Sequence, residues 1–130
     1  MSFAKIALLG LFATVSVNVA FAQDAATLER GRAVFDHYCA PCHGPGRGND
    51  GAPMLPGTHA LHLKYKGEKP DLLEQRADLP FDVLKAFVRN GVASMPPFRK
   101  TEVRDDELKA IAAYLAEAAK RTATPAESGK

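Results

Sequence analysis

Tryptophan is absent from this 130-residue chain, cysteine occurs only twice, and charge of neither sign dominates. Each scarcity removes a class of protein. With 17 basic against 15 acidic residues the net charge is +2, far from the strong basic excess of an electrostatically driven nucleic-acid binder. The lack of Trp is not a lack of core, because Phe and Tyr total ten and 46% of residues are hydrophobic. That composition suits a folded chain, not a disordered one. Long apolar runs are missing except at the N-terminus, so nothing downstream suits a membrane span. No internal repeat and no alternating strand pattern of useful length is visible. The length supports one domain and leaves little room for a second.

The N-terminal run reads as an export signal. Lys5 is the only charge in the first 23 residues, residues 6–17 are mostly apolar, and Ala20 and Ala22 put small side chains at the −3 and −1 positions before Gln23. A membrane anchor is the rival reading, but the span is short and interrupted by Ser16 and Asn18. The expected organisation is a signal peptide over 1–22, one folded domain over 23–121 and a flexible polar tail over 122–130. The mature chain of 108 residues then carries 16 basic and 15 acidic groups and no membrane anchor, and it works outside the cytoplasm, in the periplasm. A domain of that size buries a modest core and benefits from a covalent or cofactor staple.

The spacing predicts an all-α fold. A first helix is expected over about 26–39, with Leu28, Gly31, Phe35 and Tyr38 on one face. A Gly- and Pro-rich loop follows over 41–57, which needs something to wrap around to hold a compact shape. Residues 58–70 are ambiguous, and 71–76 allow a short helix. A clearer helix spans about 80–90, with Pro80 in its first turn, Gly91 past its end, and Val83, Leu84, Phe87 and Val88 as its apolar face. Residues 92–98 form an extended segment forced by Pro96 and Pro97. Asp105 is expected to cap a last helix, in which Leu108, Ile111, Tyr114, Leu115 and Ala118 recur at helical spacing to about Lys120.

The chemistry sits in Cys39-Ala40-Pro41-Cys42-His43, the attachment signature of c-type haem. Two thiols three residues apart reach the two vinyl groups on one porphyrin edge, and the adjacent His43 is placed to bind the iron. Three other readings are weaker. A zinc site needs four ligands, and no second Cys or His pair has metal spacing. A thioredoxin-like dithiol belongs after a strand, at a helix start, whereas this motif ends a predicted helix. A Cys39–Cys42 disulfide suits an exported protein but gives His43 no role.

Iron then needs a sixth ligand or keeps an open position. The candidates are Met54, Met95, His37, His59 and His62. Met is ordinarily a core filler, but Met95 precedes Pro96-Pro97-Phe98, a stiff turn that makes poor core and a good rigid ligand loop. Met95 is therefore preferred. His37 falls next to Tyr38 at the surface, and His59 and His62 lack a third partner and read as solvated or hydrogen-bonded.

Gly31-x-x-x-Phe35, Cys39-x-x-Cys42-His43, Pro53-x-Leu55-x-Gly57, Met95-Pro96 and Ile111-x-x-Tyr114-Leu115 together resemble a class I cytochrome c over nearly all of the mature chain. The resemblance implies a small fold of helices and loops around one covalent haem c, held by Cys39, Cys42, His43 and Met95 with His43 and Met95 on the metal. It further implies that Gly31 and Phe35 cross the final helix at Ile111 and Tyr114. It places the Pro53 carbonyl as acceptor for the other N–H of His43, and it turns Leu55 toward the haem and Met54 away.

Residues 56–102 carry a narrower likeness in Pro-Gly-Thr-x-Ala-Leu, Leu-Lys-Tyr-Lys-Gly, Leu-Leu-Glu-Gln-Arg, Phe-Val-Arg-Asn-Gly-Val and Met-Pro-Pro-Phe-Arg-Lys-Thr-Glu. These stretches are similar to the cytochrome subunit of flavocytochrome alkylphenol hydroxylases, the 4-cresol dehydrogenase and eugenol hydroxylase group. The likeness implies a one-electron carrier, not itself an enzyme. It would take electrons from an FAD-containing flavoprotein subunit and pass them to a periplasmic acceptor such as a small copper protein. Two alternatives stay open: a free, diffusible cytochrome without a dedicated flavoprotein, and a haem enzyme or sensor with an open sixth site. Arg89, Arg99, Lys100 and Arg104 flank Met95 and either contact an acidic partner or form an ordinary solvated surface.

Overall fold

The computed structural model describes residues 15–123, with side chains from Asp24 onward. Residues 1–14 of the expected signal peptide and residues 124–130 of the expected tail lie outside the described residues. Five helices follow one another in the described chain: α1 (Val15–Tyr38), α2 (Ala40–His43), α3 (Pro56–Tyr65), α4 (Phe81–Asn90) and α5 (Asp105–Ala123), with a 3₁₀ turn at Leu73–Gln75 before α4. No strand occurs among the described residues, only an isolated bridge between Val92 and Met95. The fold is all-α, as the spacing predicts.

Helix α1 starts well before the expected Ala26, and its sequence from Val15 to Arg30 contains no Gly or Pro to stop it. At the other end α5 runs through Ala123, so the first two residues of the expected tail are helical. There the Thr122 hydroxyl donates to the Ala119 carbonyl at 3.0 Å.

The core lies between α1 and α5. Phe35, Leu108, Ile111, Leu115 and Val103 are fully buried, with Leu84 and Val88 of α4 closing one side. The crossing depends on Gly31: a Cβ there would stand 2.1 Å from the Ala110 carbonyl oxygen and 3.0 Å from the Tyr114 Cβ. The Phe35 and Tyr114 rings lie 5.7 Å apart at 49°, and Arg30 reaches across to Asp106 at 2.7 Å. The Tyr114 hydroxyl donates to Glu74, fastening the 3₁₀ turn to α5. Burial first, and Glu74 second, push that phenol up to about 12.

Asp105 does not cap α5. It is the first helical residue, and its carboxylate is taken by Arg89 and Lys100 at 2.8 and 2.9 Å. The cap is Arg104, whose carbonyl accepts the Leu108 amide and whose own amide donates to Glu107 Oε2 at 2.9 Å. That is half of a capping box.

Between α3 and α4 the chain has little regular structure and is tied by side chains. Arg76 is 5% exposed, lies 4.6 Å over the Tyr65 ring and donates twice to Asp78 at 2.6 and 2.8 Å. Lys69 shares the same carboxylate. These bonds, Arg76 foremost, hold Asp78 well below the usual carboxylate range.

Candidate haem site

The attachment residues sit where α1 ends. Tyr38 is the last residue of α1, Cys39 precedes the one-turn helix α2, and that helix carries Cys42 and His43. Pro41 is tolerated because it stands in the first turn, where its missing N–H would be unpaired. The turn closes on Cys39, whose carbonyl accepts the amides of Cys42 at 3.1 Å and His43 at 2.8 Å. Both thiols are free, Cys39 partly buried and Cys42 exposed. Burial, with Cys42 as the lesser cause, pushes the Cys39 thiol up to about 12.

His43 is partly buried, and burial lowers its pKa, keeping the imidazole neutral. Its Nδ1 is enclosed and has no hydrogen-bond partner. The bond to the Pro53 carbonyl that the resemblance implies is therefore not formed. What stands against the ring is Gly57, where a Cβ would meet His43 Cε1 at 2.6 Å and Nδ1 at 2.8 Å. The first turn of α3 can approach the imidazole this closely only without a side chain. The next residue, Thr58, is buried and its hydroxyl donates to the Gly44 carbonyl at 3.0 Å, fixing α3 to the segment after His43.

Met95 lies in a tight turn after α4. Val92 and Met95 exchange two backbone hydrogen bonds at 3.0 and 2.9 Å, and Ala93 takes φ +50° to close the turn. Gly91 has φ +69°, and a Cβ on it would fall 2.6 Å from the Met95 carbonyl oxygen and 2.9 Å from the Pro97 nitrogen. The chain folds back directly over Gly91, which presents Met95, partly buried, against the core.

The fold brings these segments together. Tyr38, Cys39, Ala40, Met95 and Phe98 all pack on the same buried cluster. The Tyr38 and Phe98 rings meet edge-on at 5.9 Å, joining the attachment turn to the Met95 loop.

The rival candidates lie elsewhere. Met54 lines a cavity of about 310 Å³ with Gly44, Pro45, Gly46 and Thr58, on the side of the chain that follows His43. His62 Nδ1 is engaged with Asp71 at 2.9 Å. His37 is exposed and stacks edge-on against Tyr38 at 4.5 Å. Among the described residues no group of three or more His, Cys, Asp or Glu side chains converges as for a metal ion, which leaves the zinc reading without ligands.

The basic residues around Met95 pair within the chain. Arg89 turns inward and donates to the Phe98 and Val103 carbonyls and to Asp105. Arg99 pairs with Glu102, Lys100 with Asp105, and Arg104 with Asp106 and Glu107. Each is matched by an acid of its own chain. Sequence reading missed the inward role of Arg89 because its partners lie nine to sixteen residues away. Gly57 and Gly91 carry a sequence signal, one in Pro-x-Leu-x-Gly and the other at a helix end.

A protein-family model described as cytochrome c oxidase, cbb3-type, subunit III matches residues 26–115. Cytochrome c6 of Gloeothece citriformis (strain PCC 7424) is 32% identical over 111 residues, covering 85% of this chain and 86% of that protein. No solved structure gives a significant match. Two free thiols at the attachment spacing, a neutral His beside them and a side-chain-free cradle at Gly57 fit a covalent haem. The chain belongs to this family, the class I c-type cytochromes, and is an electron carrier with a covalently attached haem c.

Proposed function

We propose that this cytochrome is the electron-accepting subunit of a flavocytochrome that oxidises 4-alkylphenols. Cys39 and Cys42 would hold the haem through thioethers, and His43 and Met95 would be the residues that bind its iron. When bound, the haem supplies one-electron cycling between ferric and ferrous iron. The enclosed edge of His43 against Gly57 fixes the imidazole plane, and the Val92–Met95 turn fixes the thioether. With both positions filled, no site remains for substrate or oxygen. An FAD-containing subunit delivers two electrons in two steps, and a periplasmic acceptor such as a small copper protein removes them.

The observation that supports this reading best is the self-paired charge around Met95. Arg89, Arg99, Lys100 and Arg104 all pair with acids of the chain, and Ala93, Pro96 and Pro97 of the Met95 loop are exposed and uncharged. Such a face suits a dedicated partner that docks by apolar contact with charges at the rim. The likeness to cytochrome c6 spans most of the chain and favours a second reading, a free carrier serving several partners. Among the described residues no helix is long and apolar enough to cross a membrane, which is compatible with an exported carrier.

Denatured mature protein should retain one haem by mass spectrometry, and extraction of haem by acid-acetone would sink the attachment. Met95→Ala should abolish the Met-to-iron band and admit carbon monoxide. An unchanged band, lost instead in Met54→Ala, would reassign the ligand. The mature cytochrome should bind an alkylphenol-oxidising flavoprotein and accept its electrons. Failure to bind any flavoprotein leaves the free carrier.

A further inference from the structure

Three segments distant in sequence meet at the Arg89 guanidinium, which stands in the last turn of α4 and is 16% exposed. Nη1 donates to the Phe98 carbonyl at 2.9 Å, and Nη2 donates to the Val103 carbonyl and to Asp105 Oδ1, both at 2.8 Å. Phe98 returns its own amide to the Val88 carbonyl at 2.7 Å. The loop over residues 91–98 therefore leaves α4 at Gly91 and is fastened back to α4 at Phe98, with Met95 between. Inside the loop the Met95 amide and carbonyl bond only to Val92, a local pair that sets the turn without fixing its position.

We infer that Arg89 is the positioning residue for Met95, closing the ligand loop onto α4 and the start of α5. The inference rests on Met95 being the sixth ligand. Charge-assisted hydrogen bonds are the strong ones, and a poorly hydrated setting strengthens them further. Three acceptors, one at the end of the loop and two at the start of α5, need the planar fork of a guanidinium, and a single ammonium cannot reproduce that geometry. Asp105 neutralises the charge, so the group is held inside without an isolated cation. Its Nε–H is enclosed and unpartnered, a cost that an apolar side chain would avoid. A group kept despite that cost calls for a role, and the loop it holds supplies one.

The test uses the holoprotein and its Arg89→Lys and Arg89→Met variants. Three measurements are needed: exchange of the Phe98 amide, carbon monoxide binding to the reduced form, and global unfolding followed by helical signal. Exchange and carbon monoxide binding should each rise about tenfold or more in both variants, the factor that loss of one charged hydrogen bond of about 1.4 kcal/mol gives. The global midpoint should fall as well, because the bonds are lost from the folded state, and Lys should not rescue. Wild-type exchange in Arg89→Lys overturns the proposal. So does carbon monoxide binding that stays at the wild-type level in both variants while global stability falls, which would make Arg89 a general strut. Met95→Ala run beside them separates the two readings. If it leaves carbon monoxide binding unchanged, the ligand assignment fails, while Phe98 exchange still reports on Arg89. Should neither Arg89 variant fold, Arg89→Gln keeps a short inward donor that cannot span the acceptors and must still raise Phe98 exchange and carbon monoxide binding; no change overturns the proposal.

Discussion

Gly31 of α1 and Ala110 of α5 approach so closely that the glycine's missing Cβ would lie 2.1 Å from the alanine's carbonyl oxygen. The obstacle is backbone on a long helix, which cannot swing aside as a side-chain tip can. Gly31→Ala should therefore force the two helices apart and cost about 3 kcal/mol, the upper range for overpacking. Denaturant unfolding of the holoprotein measures it. A loss below about 1 kcal/mol would mean that the crossing has slack.

Two substitutions two residues apart should act in opposite directions. Gly91 holds φ +69° beneath the Met95 carbonyl, so Gly91→Ala adds strain and a clash at 2.6 Å. It should displace the loop, weaken the Met-to-iron band and cost about 2 kcal/mol or more. Ala93 holds φ +50° in open solvent-exposed backbone. Ala93→Gly relieves about 1–2 kcal/mol of left-handed strain and adds about 0.4–1 kcal/mol of unfolded-state entropy. The net should be a gain of about 0.5 kcal/mol with the band unchanged. Thermal unfolding and the visible spectrum of both variants check the pair.

Much of the fold was legible because it is local. Helices α4 and α5 announce themselves by apolar spacing, Pro80 and Gly91 mark the limits of α4, and the attachment pentapeptide names its chemistry. Helix α3 is ambiguous in the sequence because His59, His62 and Lys64 interrupt its apolar pattern; packing of Gly57 and Thr58 on the His43 segment holds it instead. The capping of α5 was misassigned because Asp105 has a stronger claim from Arg89 and Lys100 than from its own helix. Arg89 could not be read at all. A guanidinium at the surface and one turned into a loop are the same letter in the sequence.

Acid should weaken the folded state in a defined window. The Arg89 hydrogen bond, then that of Lys100, lowers the Asp105 carboxyl from 3.8 to about 2. A carboxylate lowered on folding contributes stability above its unfolded value, and that contribution disappears as pH falls through the folded one. Stability should thus decline between about pH 4 and pH 2, with Asp78, Asp106 and Glu102 acting in the same sense. Asp105→Asn should flatten part of this decline. An unchanged acid limb in that variant would show that the pair forms equally in the unfolded chain.

Salt discriminates between a dedicated partner and a charge-steered one. Exposed charges a Debye length apart, roughly 8 Å at 0.15 M, are largely screened, so an interface built on unpaired lysines and arginines weakens steeply with ionic strength. Around Met95 the pairing is internal: Arg99 to Glu102, Lys100 to Asp105, Arg104 to Asp106 and Glu107. Each of these cations is already partly neutralised by an acid of its own chain, which reduces its pull on an acidic partner. The exposed, uncharged Ala93, Pro96 and Pro97 of the Met95 loop make contacts that are insensitive to screening. Flavin-to-haem electron transfer, followed while flavoprotein is titrated at low and high ionic strength, should show an affinity that changes by less than about tenfold between the two. Ala93→Asp and Pro96→Asp should each weaken binding more than Arg99→Ala does. Loss of all binding at moderate salt, with Arg99→Ala as the most damaging variant, would instead make this a diffusible carrier guided by charge.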